Sequence, residues 1–70
     1  MEIENRLKYM RLVNGDITQE ELAKKLGISR QTVTAIERGK FNPSVKLALA
    51  MAELFNCKVE DIFNIKRKDK

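Results

Sequence analysis

The sequence predicts an all-α domain of five short helices, and three observations predict it. A single proline and three glycines punctuate 70 residues. The apolar residues recur at spacings of three and four, the period of a helix face rather than of a strand. One stretch, "TQEELAKKLGISRQTV" at residues 18–33, holds two helix-start signals around one glycine. A chain of this size buries only about 60% of its unfolded surface, so one compact core is the limit. Residues 1–65 are accordingly expected to form one domain, with 66–70 a short basic tail.

The first helix is expected after Asn5, a good N-cap, with Leu7, Met10 and Arg11 on one face and an end near Asn14-Gly15. Thr18 opens the second with a capping box: its hydroxyl serves the amide of Glu21, whose carboxylate reaches back to the amide of Thr18. Ile17 and Leu22 form a hydrophobic staple across that cap. Leu22, Ala23 and Leu26 face inward, and Gly27 stops the helix because it takes a positive φ without penalty.

The third helix repeats the device, with Ser29 as cap and Ile28 and Val33 as the staple. Burial of Ile28, Val33 and Ile36 leaves Arg30, Gln31, Thr32 and Thr34 facing away, and Gly39 ends the helix. Pro43-Ser44 opens the fourth, capped by Asn42 or Ser44. Its residues Val45, Leu47, Leu49, Ala50, Met51, Leu54 and Phe55 mark it as the central core helix. A fifth, about Val59 to Phe63, sets Val59, Ile62 and Phe63 against it, and the run Lys66-Arg67-Lys68-Asp69-Lys70 is expected to fray.

Composition narrows the function. Fourteen Lys and Arg against ten Asp and Glu give a net charge of +4 and an isoelectric point near 9.5, a balance that favours polyanionic partners. The longest apolar run, Leu47 to Ala52, is far below the roughly 20 residues that span a bilayer, and the acidic start Met1-Glu2-Ile3-Glu4 is wrong for a secretory signal. With a lone Cys57 these features predict a soluble, cytoplasmic protein in a reducing compartment, without a membrane partner.

The chain has no histidine, which excludes Ser-His, Cys-His and His-metal chemistry, and one cysteine does not hold zinc. The carboxylate pairs Glu20-Glu21 and Glu60-Asp61 sit where a helix begins, a position the helix dipole favours for negative charge. No enzyme is expected, no metal, no cofactor and no small-molecule ligand.

Two short helices joined through a glycine turn, here about residues 18–38, make a helix-turn-helix. In that motif the second helix lies in the major groove of DNA with its first turn nearest the base edges. Ala23 is small where the helices cross, Gly27 makes the turn, and Val33 and Ile36 anchor the second helix. Arg30 and Gln31 carry suitable donors, since Arg pairs bidentately with guanine and Gln with adenine.

The stretches "NRLKYMR", "ITQEELAKKLGISRQTVTAIERGKFNPS", "LALAMAELF" and "VEDIF", together spanning residues 5–63, resemble the Cro and phage-repressor (XRE) type of helix-turn-helix protein. The resemblance implies a compact five-helix, lambda-repressor-like domain that binds double-stranded operator DNA as a homodimer and regulates transcription as a repressor. By the same resemblance Arg30, Gln31 and Thr34 contact bases, and Thr32 reaches a base or a phosphate. Gln19 bonds a phosphate and braces Arg30, and Arg38, Lys40, Asn42 and Ser44 hold the phosphate backbone. Arg11 and Glu37, which interrupt apolar faces, form a buried ion pair. Leu22, Ala23, Gly27, Ile28, Val33 and Ile36 are the motif's structural core.

For dimerisation the residues themselves offer Ile62, Phe63 and Ile65, more apolar surface than a fraying end needs, and their alternative use is to cap the core of the same monomer. The alternative is a protein-interaction module, an antitoxin half or an adapter, on the same fold. Such a module calls for apolar residues where Arg30, Gln31 and Thr34 stand.

Overall fold

The computed structural model describes residues 2–66. It is built from a strand β1 (Glu2–Asn5), four helices, α1 (Leu7–Val13), α2 (Gln19–Leu26), α3 (Arg30–Glu37) and α4 (Val45–Leu54), a 3-10 turn at Val59–Asp61, and a strand β2 (Phe63–Lys66). The two strands pair antiparallel, Glu2 opposite Lys66 and Asn5 opposite Phe63.

The five-helix expectation is therefore corrected to four helices and a two-stranded sheet. The segment expected as a fifth helix makes one 3-10 turn, closed by the Asp61 carboxylate accepting from the Lys58 amide at 3.0 Å. From there the chain straightens to meet β1. In the ribbon Ile3 stands opposite Ile65, and Glu2, Glu4, Asn64 and Lys66 alternate with them along the strands. Lys66, expected in the tail, is the last residue of β2, and residues 67–70 lie outside the described residues.

Asn5 ends β1 instead of capping α1, whose N-cap is Arg6 with no side-chain cap bond. Its side chain still serves two ends. Oδ1 accepts from the Leu7 amide at 3.1 Å, and Nδ2 donates to the Ile36 carbonyl at 2.9 Å. The start of α1 is thereby tied to the end of α3.

The caps of α2, α3 and α4 follow their sequence signals. Thr18 and Glu21 exchange the two capping-box bonds at 2.8 and 3.0 Å. Ser29 accepts from the Thr32 amide, and Ser44 from the Leu47 amide, each at 3.1 Å.

The core is formed by Leu7, Leu22, Ala23, Val33, Ile36, Met51, Ala52, Phe55 and Ile62, with Met10, Ile17, Leu26, Ile28, Leu47, Val59 and Phe63 packed around it. Ile62 is wholly enclosed and so offers nothing to a partner. The fourth helix is less central than its composition suggests. Val45 is 76% exposed and Leu49 56%, and Leu54 is exposed as well. An eight- to ten-residue helix packed along one side buries one stripe, and in α4 that stripe runs through Met51 and Ala52.

Gly27 ends α2 at φ +71, and a Cβ built there meets nothing within 4 Å. Its requirement is conformational and not steric. Gly27→Ala is expected to destabilise the fold by about 1–2 kcal/mol through the left-handed backbone alone. Urea unfolding with an unchanged midpoint would show that the turn relaxes.

Candidate nucleic-acid interface

Helix α3 is divided lengthwise. Val33 and Ile36 are fully buried against the core, while Arg30 and Gln31 are exposed. The helical period puts Arg30, Gln31, Thr34, Ala35 and Arg38 on the opposite face, and with Lys40 they line one open groove. Three of those six are cations. The two side chains that face the core, Val33 and Ile36, are apolar.

A second groove runs along α1, α2 and α3, lined by Lys8, Arg11, Gln19, Arg30, Thr34, Glu37 and Arg38. Beneath it lies the polar centre of the molecule. Arg11 Nε donates to Glu37 Oε2 at 2.8 Å, and Nη2 to Oε1 at 3.2 Å. Nη1 donates to the Ile17 carbonyl at 2.8 Å. The pair is nearly enclosed, its side chains 10% and 7% exposed. Gln19 Nε2 adds a bond to Glu37 Oε1 at 3.0 Å, and Gln19 Oε1 accepts from the Thr34 hydroxyl at 3.0 Å. One network thus joins α1, the turn after it, α2 and α3.

Gln19 bonds Glu37 and Thr34, and it lines a groove together with Arg30. The Thr32 hydroxyl lies 2.9 Å from that of Ser29, drawn back over the helix start. Lys40 shares the α3 groove, whereas Asn42 and Ser44, both exposed, line neither groove. The Ser44 hydroxyl is engaged as the α4 cap. Two residues were missed by the sequence reading: Ala35, which lies four residues after Gln31, and Lys8, three before Arg11. Their helical spacing was the available signal.

Residues 7–62 match the sequence profile of the helix-turn-helix family. The chain belongs to that family, in its Cro and phage-repressor (XRE) form. It is 57% identical over 61 residues to an uncharacterized helix-turn-helix-type transcriptional regulator of Methanocaldococcus jannaschii, covering 87% of this chain and 91% of that one. Among solved structures it is similar to a candidate DNA-binding protein from Bacteroides fragilis, with a TM-score of 0.76 and 29% identity over 89% of this chain and 98% of that one. It is also similar to the restriction-modification controller protein C.AhdI of Aeromonas hydrophila, with a TM-score of 0.69, 31% identity and coverage of 79% and 78%. In this helix-turn-helix protein α2 and α3 are the two helices of the motif, and Gly27 is their turn.

Away from the motif, Cys57 is half-buried against the core. Burial raises its thiol pKa above the ordinary value, and the nearby Asp61 carboxylate raises it further. Among the described residues no helix is long and apolar enough to cross a membrane.

Glu37→Ala leaves the Arg11 guanidinium enclosed without its carboxylate and is expected to cost about 3–5 kcal/mol. An unchanged melting temperature would mean that water reaches Arg11. For Cys57 the raised pKa leaves less thiolate at neutral pH, so alkylation of the folded protein should be slower than of the same chain in urea. Its pH–rate profile should move upward on folding. The fold favours the neutral thiol, so the associated stability is complete below the unfolded pKa and declines as pH rises through the folded one. Equal alkylation rates in the two states would remove the effect.

Proposed function

We propose that this protein is a sequence-specific double-stranded DNA-binding regulator of transcription, a cytoplasmic repressor and not an enzyme, that inserts α3 into the major groove of its operator. The observation that carries the reading is the division of α3: Arg30, Gln31 and Thr34, with the Ala35 methyl, line one groove with Arg38 and Lys40 beyond the helix end, while Val33 and Ile36 seat the other face in the core and the Glu37 carboxylate and the Asn5 amide fix its rotation. A rigid anchor matters because a reading side chain must arrive at a base edge already aimed. Repression asks nothing further of the chain than occupancy of the site.

Within that reading, Arg30 pairs with O6 and N7 of a guanine and Gln31 with N6 and N7 of an adenine, each worth about 1–3 kcal/mol of discrimination. The Ala35 methyl suits contact with a thymine methyl. Gln19, Arg38, Lys40, Asn42 and Ser44 face the phosphates, as does Thr32 at the helix start, and Lys8 joins them from α1. These contacts set register and carry no sequence information directly.

The operator partner is read by a homodimer, whose two recognition helices fall one turn of DNA apart. The exposed apolar pair Ile3 and Ile65, opposite one another across the sheet, supports a surface able to meet a second copy. Neither a metal nor a cofactor has a part in this function.

The test is selection of bound sequences from a random duplex pool. A palindrome with half-sites about one helical turn apart is expected. Arg30→Ala should relax preference at one position per half-site, while Lys40→Ala should weaken all sequences alike and lower the salt slope by about 1. Binding without an enriched motif would overturn the reading.

A further inference from the structure

The polar network under α3 has a direction, and that direction ends on the recognition face. Arg11 has only donors to offer, so Glu37, bonded twice by its guanidinium, acts as an acceptor. The amide of Gln19 that meets Glu37 must therefore be its nitrogen, which turns its oxygen the other way. That oxygen lies 3.0 Å from the Thr34 hydroxyl. The Arg30 carbonyl lies 3.1 Å from the same hydroxyl. Both neighbours are acceptors, and a hydroxyl has one proton. Thr34 spends it inward whichever it chooses, and its oxygen keeps only lone pairs for a partner that reaches it from the two grooves that Thr34 lines.

Thr34 belongs to that groove by position as well, between Arg30 and Arg38 on the helix ridge and beside Gln31 and Ala35. Resting on the DNA-binding reading, we infer that the network locks Thr34 as a hydrogen-bond acceptor, so that it recognises an exocyclic amine in the major groove, N6 of adenine or N4 of cytosine. The carbonyl edges, O6 of guanine and O4 of thymine, would meet lone pairs with lone pairs. A freely rotating threonine has no such bias, since it donates or accepts as the base requires. Thr34 is a specificity-determining residue whose polarity is set by Arg11, Glu37 and Gln19 behind it.

The experiment begins with selection of bound duplexes by wild type, Thr34→Val and Thr34→Ser. Valine keeps the methyl and loses the oxygen, and serine does the reverse. Preference at one base pair per half-site is expected to fade with valine and persist with serine. At that pair the amine is then removed chemically, adenine being replaced by purine or cytosine by 2-pyrimidinone. Loss of the amine should weaken wild type about fivefold, the worth of one net hydrogen bond, and leave Thr34→Val unchanged.

A motif that is identical for wild type and Thr34→Val overturns the inference and leaves the DNA-binding reading standing. So does a position whose preference survives in valine and fades in serine, because the methyl is then the reader. Equal weakening of wild type and Thr34→Val by amine removal overturns it also. Failure of wild type to enrich any motif overturns the DNA-binding reading, and the inference with it.

Discussion

The ion pair between Arg11 and Glu37 is the interaction on which the arrangement of the helices depends. Two charges with side chains only 10% and 7% exposed are costly to remove from water. The cost is offset because their hydrogen-bonding capacity is used: three guanidinium nitrogens donate, and both carboxylate oxygens accept. A pair of that kind adds less to net stability than its distances suggest, but it tolerates few alternative geometries. Helix α3 has eight residues and two fully buried side chains, Val33 and Ile36, too few to fix its rotation by packing alone. The carboxylate at its end and the Asn5 amide on the Ile36 carbonyl fix it instead.

Most of the fold was legible where local chemistry is strong. The Thr18 and Ser29 caps, the Gly27 turn and the buried positions Leu22, Ala23, Val33 and Ile36 each carry their own signal within four residues. The strands did not, because EIEN and FNIK are four residues each and become strands only by meeting one another from opposite ends of the chain. Val45, Leu49 and Leu54 misled for a related reason. Apolar composition indicates that a helix packs somewhere, but not how much of its circumference finds a neighbour.

The site was legible to the same depth. Arg30 and Gln31 announce themselves as exposed donors after a cap, whereas Ala35 has no chemistry that stands out in a sequence and is found only by the side of the helix it shares. The partners of Gln19 were out of reach for another reason. Which end of an amide faces which neighbour is decided by a carboxylate 18 positions away, and no local pattern records it.

The antiparallel ribbon has a kinetic consequence. Its strands lie about sixty residues apart in sequence, whereas the helix-turn-helix is assembled from neighbours. Closing so long a loop costs entropy that is recovered only once the helices have docked and brought the ends together, which makes the ribbon a late element of folding and an early one to open. Asn5 stands at the junction, ending β1 while holding the Ile36 carbonyl in the last turn of α3. Opening of the ribbon thus reaches the C-terminal turn of α3 through the side-chain amide of Asn5.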